Sequence, residues 1–168
     1  MLLNRRPILN DLALLLLRLI VGAVFIFHGS QKLFGWFDGP GIEGFAGFLE
    51  QMEIPEPMVM AWVTAISEFA GGILVLLGLL TRLAAIAPLI VMIVAIVTVH
   101  PDAFAVDKGG MEFALTLATI LTALILAGPG RISIDGIVAG GKREEHTGRT
   151  TTRTTPPPSP DNPPPPTA

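Results

Sequence analysis

The sequence predicts an all-α membrane protein: an antiparallel bundle of four transmembrane helices, an amphipathic helix in the first outer loop, and a disordered C-terminal tail. Three observations predict it. Of 168 residues 51% are hydrophobic and only 15% charged, with a mean hydropathy of +0.63, whereas a soluble domain carries roughly a quarter charged residues. Those charges stand at the ends of long apolar runs. Four such runs lie near residues 12–34, 57–80, 83–99 and 112–128, each close to the about 17–25 residues that cross a hydrocarbon core as a helix.

The first run follows Arg5-Arg6 and contains Arg18. Its length, the internal arginine and the lack of a small-residue cleavage site predict an anchored first span rather than a cleaved signal peptide. Residues 41–53 place Ile42, Phe45, Phe48, Leu49 and Met52 at helical spacing between Glu43, Glu50 and Glu53, the pattern of an amphipathic helix on the membrane surface or over the bundle mouth. Pro55 and Pro57 end it. The second and third runs are joined by little more than Thr81-Arg82, so they must form a tight hairpin, with Pro88 early in the third, where a missing N–H costs least. Gly128-Pro129-Gly130 stops the fourth, and "RISIDGIV" after it reads as a short interfacial cap. From about residue 137 to 168 the chain is rich in proline, threonine and charge, with nothing to build a core, and is expected to be a disordered tail. The membrane domain is residues 1–136.

Orientation follows from lysine and arginine placement. With four spans, Arg5, Arg6, Arg82, Arg131, Lys142, Arg143, Arg149 and Arg153 share one side, while Asp38, Glu43, Glu50, Glu53, Glu56, Asp102 and Asp107 share the other. Both termini are therefore expected in the cytoplasm of a multi-pass plasma-membrane protein. Trp36 and Trp62 fit an aromatic belt at the outer interface. No cysteine is present, so the chain has no thiol chemistry of its own; no basic aromatic surface suggests nucleic-acid binding.

Ionisable residues inside spans are costly and serve as site candidates by default. Arg18, Phe25 and Lys32 are seven apart and share one helix face, with Gly22 and Gly29 about 40° round from it. In the second run Glu68 shares a face with Ala61, Ala65 and Gly72. Small residues permit close helix approach, so the two faces are expected to meet. With Phe34 and Pro57 taken as the outer boundary, Arg18 lies roughly 24 Å deep, Glu68 roughly 16 Å and His28 roughly 9 Å. That depth predicts a buried structural pair, Arg18–Glu68. The pair forms the floor of an outer polar chamber lined by His28, Gln31 and Lys32, with Glu112 and His100 opposite. Such a chamber suits a quinone head group, proton transfer, or a small anion. The spacing of His28, His100 and Glu112 does not define a metal site.

Taken together, "RLIVG" (18–22), "FHGSQKLFG" (27–35), "SEFAGGILVLLGLLTRLAA" (67–85), "TVHPDAF" (98–104), "KGGMEFAL" (108–115) and "GPGRISID" (128–135) resemble the DoxX family of small bacterial membrane proteins. The resemblance covers about residues 10–136 and aligns Lys32, Glu68 and Glu112 with the family's polar positions. It implies a four-helix membrane bundle linked to redox metabolism, related to the small subunit of thiosulfate:quinone oxidoreductase. It also implies partners of the sulfurtransferase and superoxide dismutase kinds. The function expected is the membrane subunit of a thiol, sulfur or oxidative-stress redox complex, with a quinone as possible cofactor. A small-solute channel or transporter, which in so narrow a bundle requires a homo-oligomer, and a non-catalytic scaffold for soluble enzymes are the alternatives.

Overall fold

A computed structural model describes residues 7–99 and 101–138. His100, the N-terminal arginines and the proline-rich tail lie outside the described residues. The described chain is helical, with no strand in it. Its elements are α1 (Pro7–Phe34), α2 (Gly41–Gln51), α3 (Pro57–Leu77), α4 (Thr81–Ala84), α5 (Ile86–Thr98), a 3-10 turn (Val106–Lys108) and α6 (Glu112–Ala127). Three helical stretches among the described residues, Ile8–Phe34, Pro57–Leu77 and Thr81–Thr98, are long and apolar enough to cross a membrane. The helix α6 is apolar but shorter, with 16 residues. Large apolar side chains such as Leu16, Ile20, Ile66, Ile90 and Leu126 stand outward on these helices, as a lipid-facing surface requires.

The four long helices pack in a ring, α1 against α3, α3 against α5, α5 against α6 and α6 against α1. Glycines set the α1–α3 contact, as their sequence stripe predicts. A Cβ on Gly29 would come 2.5 Å from Phe69 N, one on Gly22 2.7 Å from Leu76 Cβ, and one on Gly72 2.9 Å from Ile26 N. The two backbones touch, and the contacts run antiparallel. Between the helices lies a core that includes Val21, Phe25, Val75, Leu117, Leu121 and Leu124.

This register differs from the depths read from sequence. With Gly29 beside Phe69, the level of Phe34 falls near Thr64, seven residues into α3, so α3 rises about 10 Å further at 1.5 Å per residue. The extra length has a partner. On it packs α2, joining Ala46 and Leu49 to Ala61, with Ile42, Phe45 and Ile54 around them. The amphipathic helix of the sequence is thus present, lying over the bundle end with its apolar face down.

The third span carries a local interruption in its hydrogen bonding. Proline at position 88 leaves the carbonyl of Ala84 without its helical donor, and Ala85, whose backbone stays helical at φ −77° and ψ −17°, separates α4 from α5. The proline ring rests on Gly71, where a Cβ would meet Pro88 Cγ at 2.7 Å. That contact fixes α5 against α3 at the end away from α2.

Gly29→Val is expected to lower stability by about 1–3 kcal/mol, the usual cost of forcing atoms into a packed contact. Gly47→Ala in α2, where nothing lies within 4 Å of the new Cβ, should stabilise by about 0.5–1 kcal/mol through helix propensity alone. Thermal unfolding of both variants in detergent checks the contrast.

Candidate functional site

The inward face of α1 repeats every seven residues: Asp11, Arg18, Phe25 and Lys32. Asp11, Arg18 and Phe25 are buried, and the Lys32 side chain is 18% exposed. Each of the three charges has found a different partner. Lys32 Nζ lies 2.5 Å from Glu68 Oε2, an ion pair between α1 and α3 whose carboxylate side chain is 3% exposed. The same ammonium stands 5.3 Å from the centre of the Phe45 ring of α2, close enough for a cation–π attraction.

The expected Arg18–Glu68 pair is therefore corrected: Lys32 is the partner of Glu68. Arg18 sits more than three turns of α1 away, at the level of Gly78. Its Nη2 donates to Ile132 O, while its Nε and Nη1 have no hydrogen-bond partner among the described residues. The cause is register: Pro57 lies about two turns of α3 beyond the level of Phe34, which brings Glu68 to Lys32.

Arg18 belongs to a second cluster at the opposite end of the bundle. Asp11 Oδ1 accepts from Arg131 N at 2.8 Å. Asp135 Oδ1 accepts from Leu80 N at 2.9 Å and its Oδ2 from Thr81 N at 3.1 Å. Asp135 N in turn donates to Gly78 O at 3.0 Å. The segment after α6 is thus latched to α1 and to the α3–α4 turn. Leu80 holds a left-handed φ of 48°, a conformation that costs about 1–3 kcal/mol for a non-glycine residue, and Asp135 offsets it.

Lys32 and Glu68 face a cavity of about 340 Å³ at the α2 end. Its wall is mostly apolar: Phe25 below, Phe45, Phe48 and Leu49 of α2 and Met52 just after it above, and Ile90, Val94, Phe113 and Leu117 around. Thr64, one turn from Glu68, and Thr98 add hydroxyls. His28 also lines it. Its Nδ1 lies 3.1 Å from Gln31 Oε1; an amide oxygen opposite makes Nδ1 the donor and leaves Nε2 an acceptor in the neutral ring. The His28 ring packs edge-on to Phe113 at 6.0 Å.

Two predicted members stand elsewhere. Gln31 is not in the cavity wall; it orients His28 and donates from Nε2 to Phe37 O at 3.4 Å, tying α1 to the loop before α2. Glu112 is spent on the loop preceding α6, where its Oε1 accepts from Val106 N at 2.8 Å. Phe113 and Ala114 take its expected place opposite Lys32. His100 lies outside the described residues. Sequence reading missed Thr64, Asp11 and Asp135. The seven-residue spacing to Arg18 could have shown Asp11; nothing in the sequence marks Thr64.

Comparison with known proteins follows the same core. The DoxX family model matches residues 13–101, which hold α1 to α5 with both members of the ion pair. The chain belongs to the DoxX family. The Bacillus subtilis protein CatD, provisionally named an oxidoreductase, is 33% identical over 133 residues, covering 79% of this chain and 92% of the relative. An uncharacterised membrane protein of Mycobacterium tuberculosis is 39% identical over 130 residues, covering 71% and 77%. The Escherichia coli inner membrane protein YphA is 29% identical over 136 residues, covering 77% and 90%. No solved structure matches. As a DoxX protein the chain is a membrane protein, and the apolar exterior of its helices is the surface turned to lipid.

Removing either partner of the ion pair leaves a buried charge. Lys32→Met and Glu68→Gln should each cost about 3–5 kcal/mol, and Lys32→Met/Glu68→Leu, which removes both charges, should recover most of that loss. Chemical unfolding in detergent reads the cycle. At the other end, Asp135→Ala should leave the cavity intact but expose the chain after α6 to protease, seen as faster cleavage near Arg131.

Proposed function

We propose that this DoxX protein is the membrane subunit of a redox complex handling thiol, sulfur or oxidative-stress chemistry, and that its cavity holds a quinone head group. The observation that carries this reading is the buried Lys32–Glu68 pair, with His28 beside it, at one side of an otherwise apolar cavity. A quinone ring is flat and apolar apart from two carbonyl oxygens. The Lys32 ammonium donates to one of them, with a charge-assisted bond worth about 1.5–3 kcal/mol. Reduction to the hydroquinone adds two electrons and two protons; Glu68 and His28 are groups through which protons can pass. The electrons come from a donor outside this chain, because the chain has no cysteine to shuttle them.

The oxidoreductase name of CatD and the resemblance to thiosulfate:quinone oxidoreductase support the redox class. Phe25, 2% exposed, closes the floor of the cavity, which favours binding there over conduction through the bundle. In this reading α6 is the fourth span, both termini are cytoplasmic, and α2 lies on the outer face beside Trp36 and Trp62. Soluble partners of the sulfurtransferase and superoxide dismutase kinds, and self-association, complete the assembly.

The test is quinone binding to the purified protein in lipid vesicles, followed by thiosulfate-dependent quinone reduction. Lys32→Met is expected to weaken binding about tenfold or more, and Glu68→Gln to abolish reduction while the ring still binds. Quinone affinity and turnover indifferent to both substitutions would overturn the assignment.

A further inference from the structure

We infer that the cavity opens sideways into the bilayer, through a crevice between α3 and α5, and that the crevice takes the hydrocarbon tail of a membrane-borne amphiphile whose head lies at Lys32. This rests on the quinone reading for the identity of the head group, and not for the route.

Contacts on the other sides of the cavity narrow the route. Between α1 and α3 the glycine contact at Gly29 brings backbone to backbone. On the α1–α6 side His28 packs edge-on against Phe113 at 6.0 Å, with Phe113 itself 47% exposed. On the α5–α6 side Met92, Ala114 and Leu117 share one buried core. Above, the α2 roof is held down by Ala46 and Leu49, both buried against Ala61.

The opening on that side has a structural cause. Pro88 on Gly71 pins α5 to α3 at one end. Toward the α2 end, Val63 and Thr64 of α3 and Ile90 and Val94 of α5 border the cavity. Val63, Ile90 and Val94 are also 52%, 55% and 46% exposed, so one set of side chains belongs both to the cavity wall and to the lipid-facing surface. A wall of this kind offers no hydrogen bonds beyond Thr64 and solvates a linear hydrocarbon chain. The charged feature, the ion pair, lies at the inner end of the crevice. That order, apolar entrance and charged interior, matches an amphiphile entering tail outward. A water-soluble anion would have to cross the apolar entrance or the α2 lid.

The chain has no cysteine, so a single introduced one can be labelled cleanly. Full-length protein carrying Thr64→Cys and a small fluorophore is placed in phosphatidylcholine vesicles. Quenching by lipid brominated along its acyl chains is compared with quenching by iodide in the buffer. Bromine is expected to quench severalfold more strongly than iodide. Val94→Trp, which fills the crevice, should reduce the bromine effect at position 64 and leave it unchanged for a label at Ile66→Cys on the exposed face of α3. If the label disturbs α3, Thr98→Cys reports from the α5 wall of the same cavity. Quenching by iodide in place of bromine, or bromine quenching untouched by Val94→Trp, overturns the crevice. A decyl-substituted quinone that relieves the bromine quenching shows the tail of the quinone in place of a lipid chain. Crevice quenching with no effect of any quinone keeps the route and overturns the head-group reading instead.

Discussion

A lysine and a glutamate buried together between two apolar helices are the constraint around which the rest is arranged. Moving either charge from water into a protein interior costs several kcal/mol, and mutual attraction offsets this only when the geometry is close. The geometry here depends on backbone approach. Gly22, Gly29 and Gly72 let α1 and α3 touch, and this register places the Lys32 ammonium against the Glu68 carboxylate. A shift of one turn would separate them by about 5.4 Å. Helix register, burial of the pair and the position of the cavity are one arrangement.

The two ends of the bundle use polar groups differently, although both draw on one face of α1. At the α2 end charge is set beside empty space, and the surrounding wall supplies little besides carbon. At the other end Asp11 and Asp135 are taken up by backbone groups of the segment after α6 and of the α3–α4 turn, and Arg18 donates from Nη2 to Ile132 O while its Nε and Nη1 have no partner among the described residues. Their work is to fix the chain where a helix has stopped and its terminal groups need partners. This division explains why only the Lys32 end is a candidate for chemistry. It also gives "GPGRISID" a role: a latch that holds the helix ends together.

Much of this was legible in the sequence, because lipid leaves few choices. Apolar runs of sufficient length must be helices, glycine and alanine stripes must face other helices, and ionisable groups must turn inward. The amphipathic α2 was legible from its spacing, and Lys32, His28 and Glu68 from their presence in greasy segments. What escaped was register. Hydropathy marks where a helix is apolar and carries no information on how far it slides along its neighbour, so Arg18 was matched with Glu68 on depth alone. Glu112 escaped for another reason: a carboxylate at a helix start serves the inside of a bundle or a nearby loop N–H equally well, and only the path of residues 101–111 decides. Pro88, close to the start of its span, interrupts the hydrogen bonding there at one residue and leaves the backbone helical.

The most direct test exchanges the two charges. Lys32→Glu and Glu68→Lys each place two like charges in one buried contact, whereas Lys32→Glu/Glu68→Lys restores an opposite pair at the same site. With folded yield and thermal stability in detergent as the readout, both single variants should fail badly and the double variant should return most of the loss. A double variant as damaged as the worse single one would mean that Lys32 and Glu68 do not meet, and the cavity built beside them would have no basis.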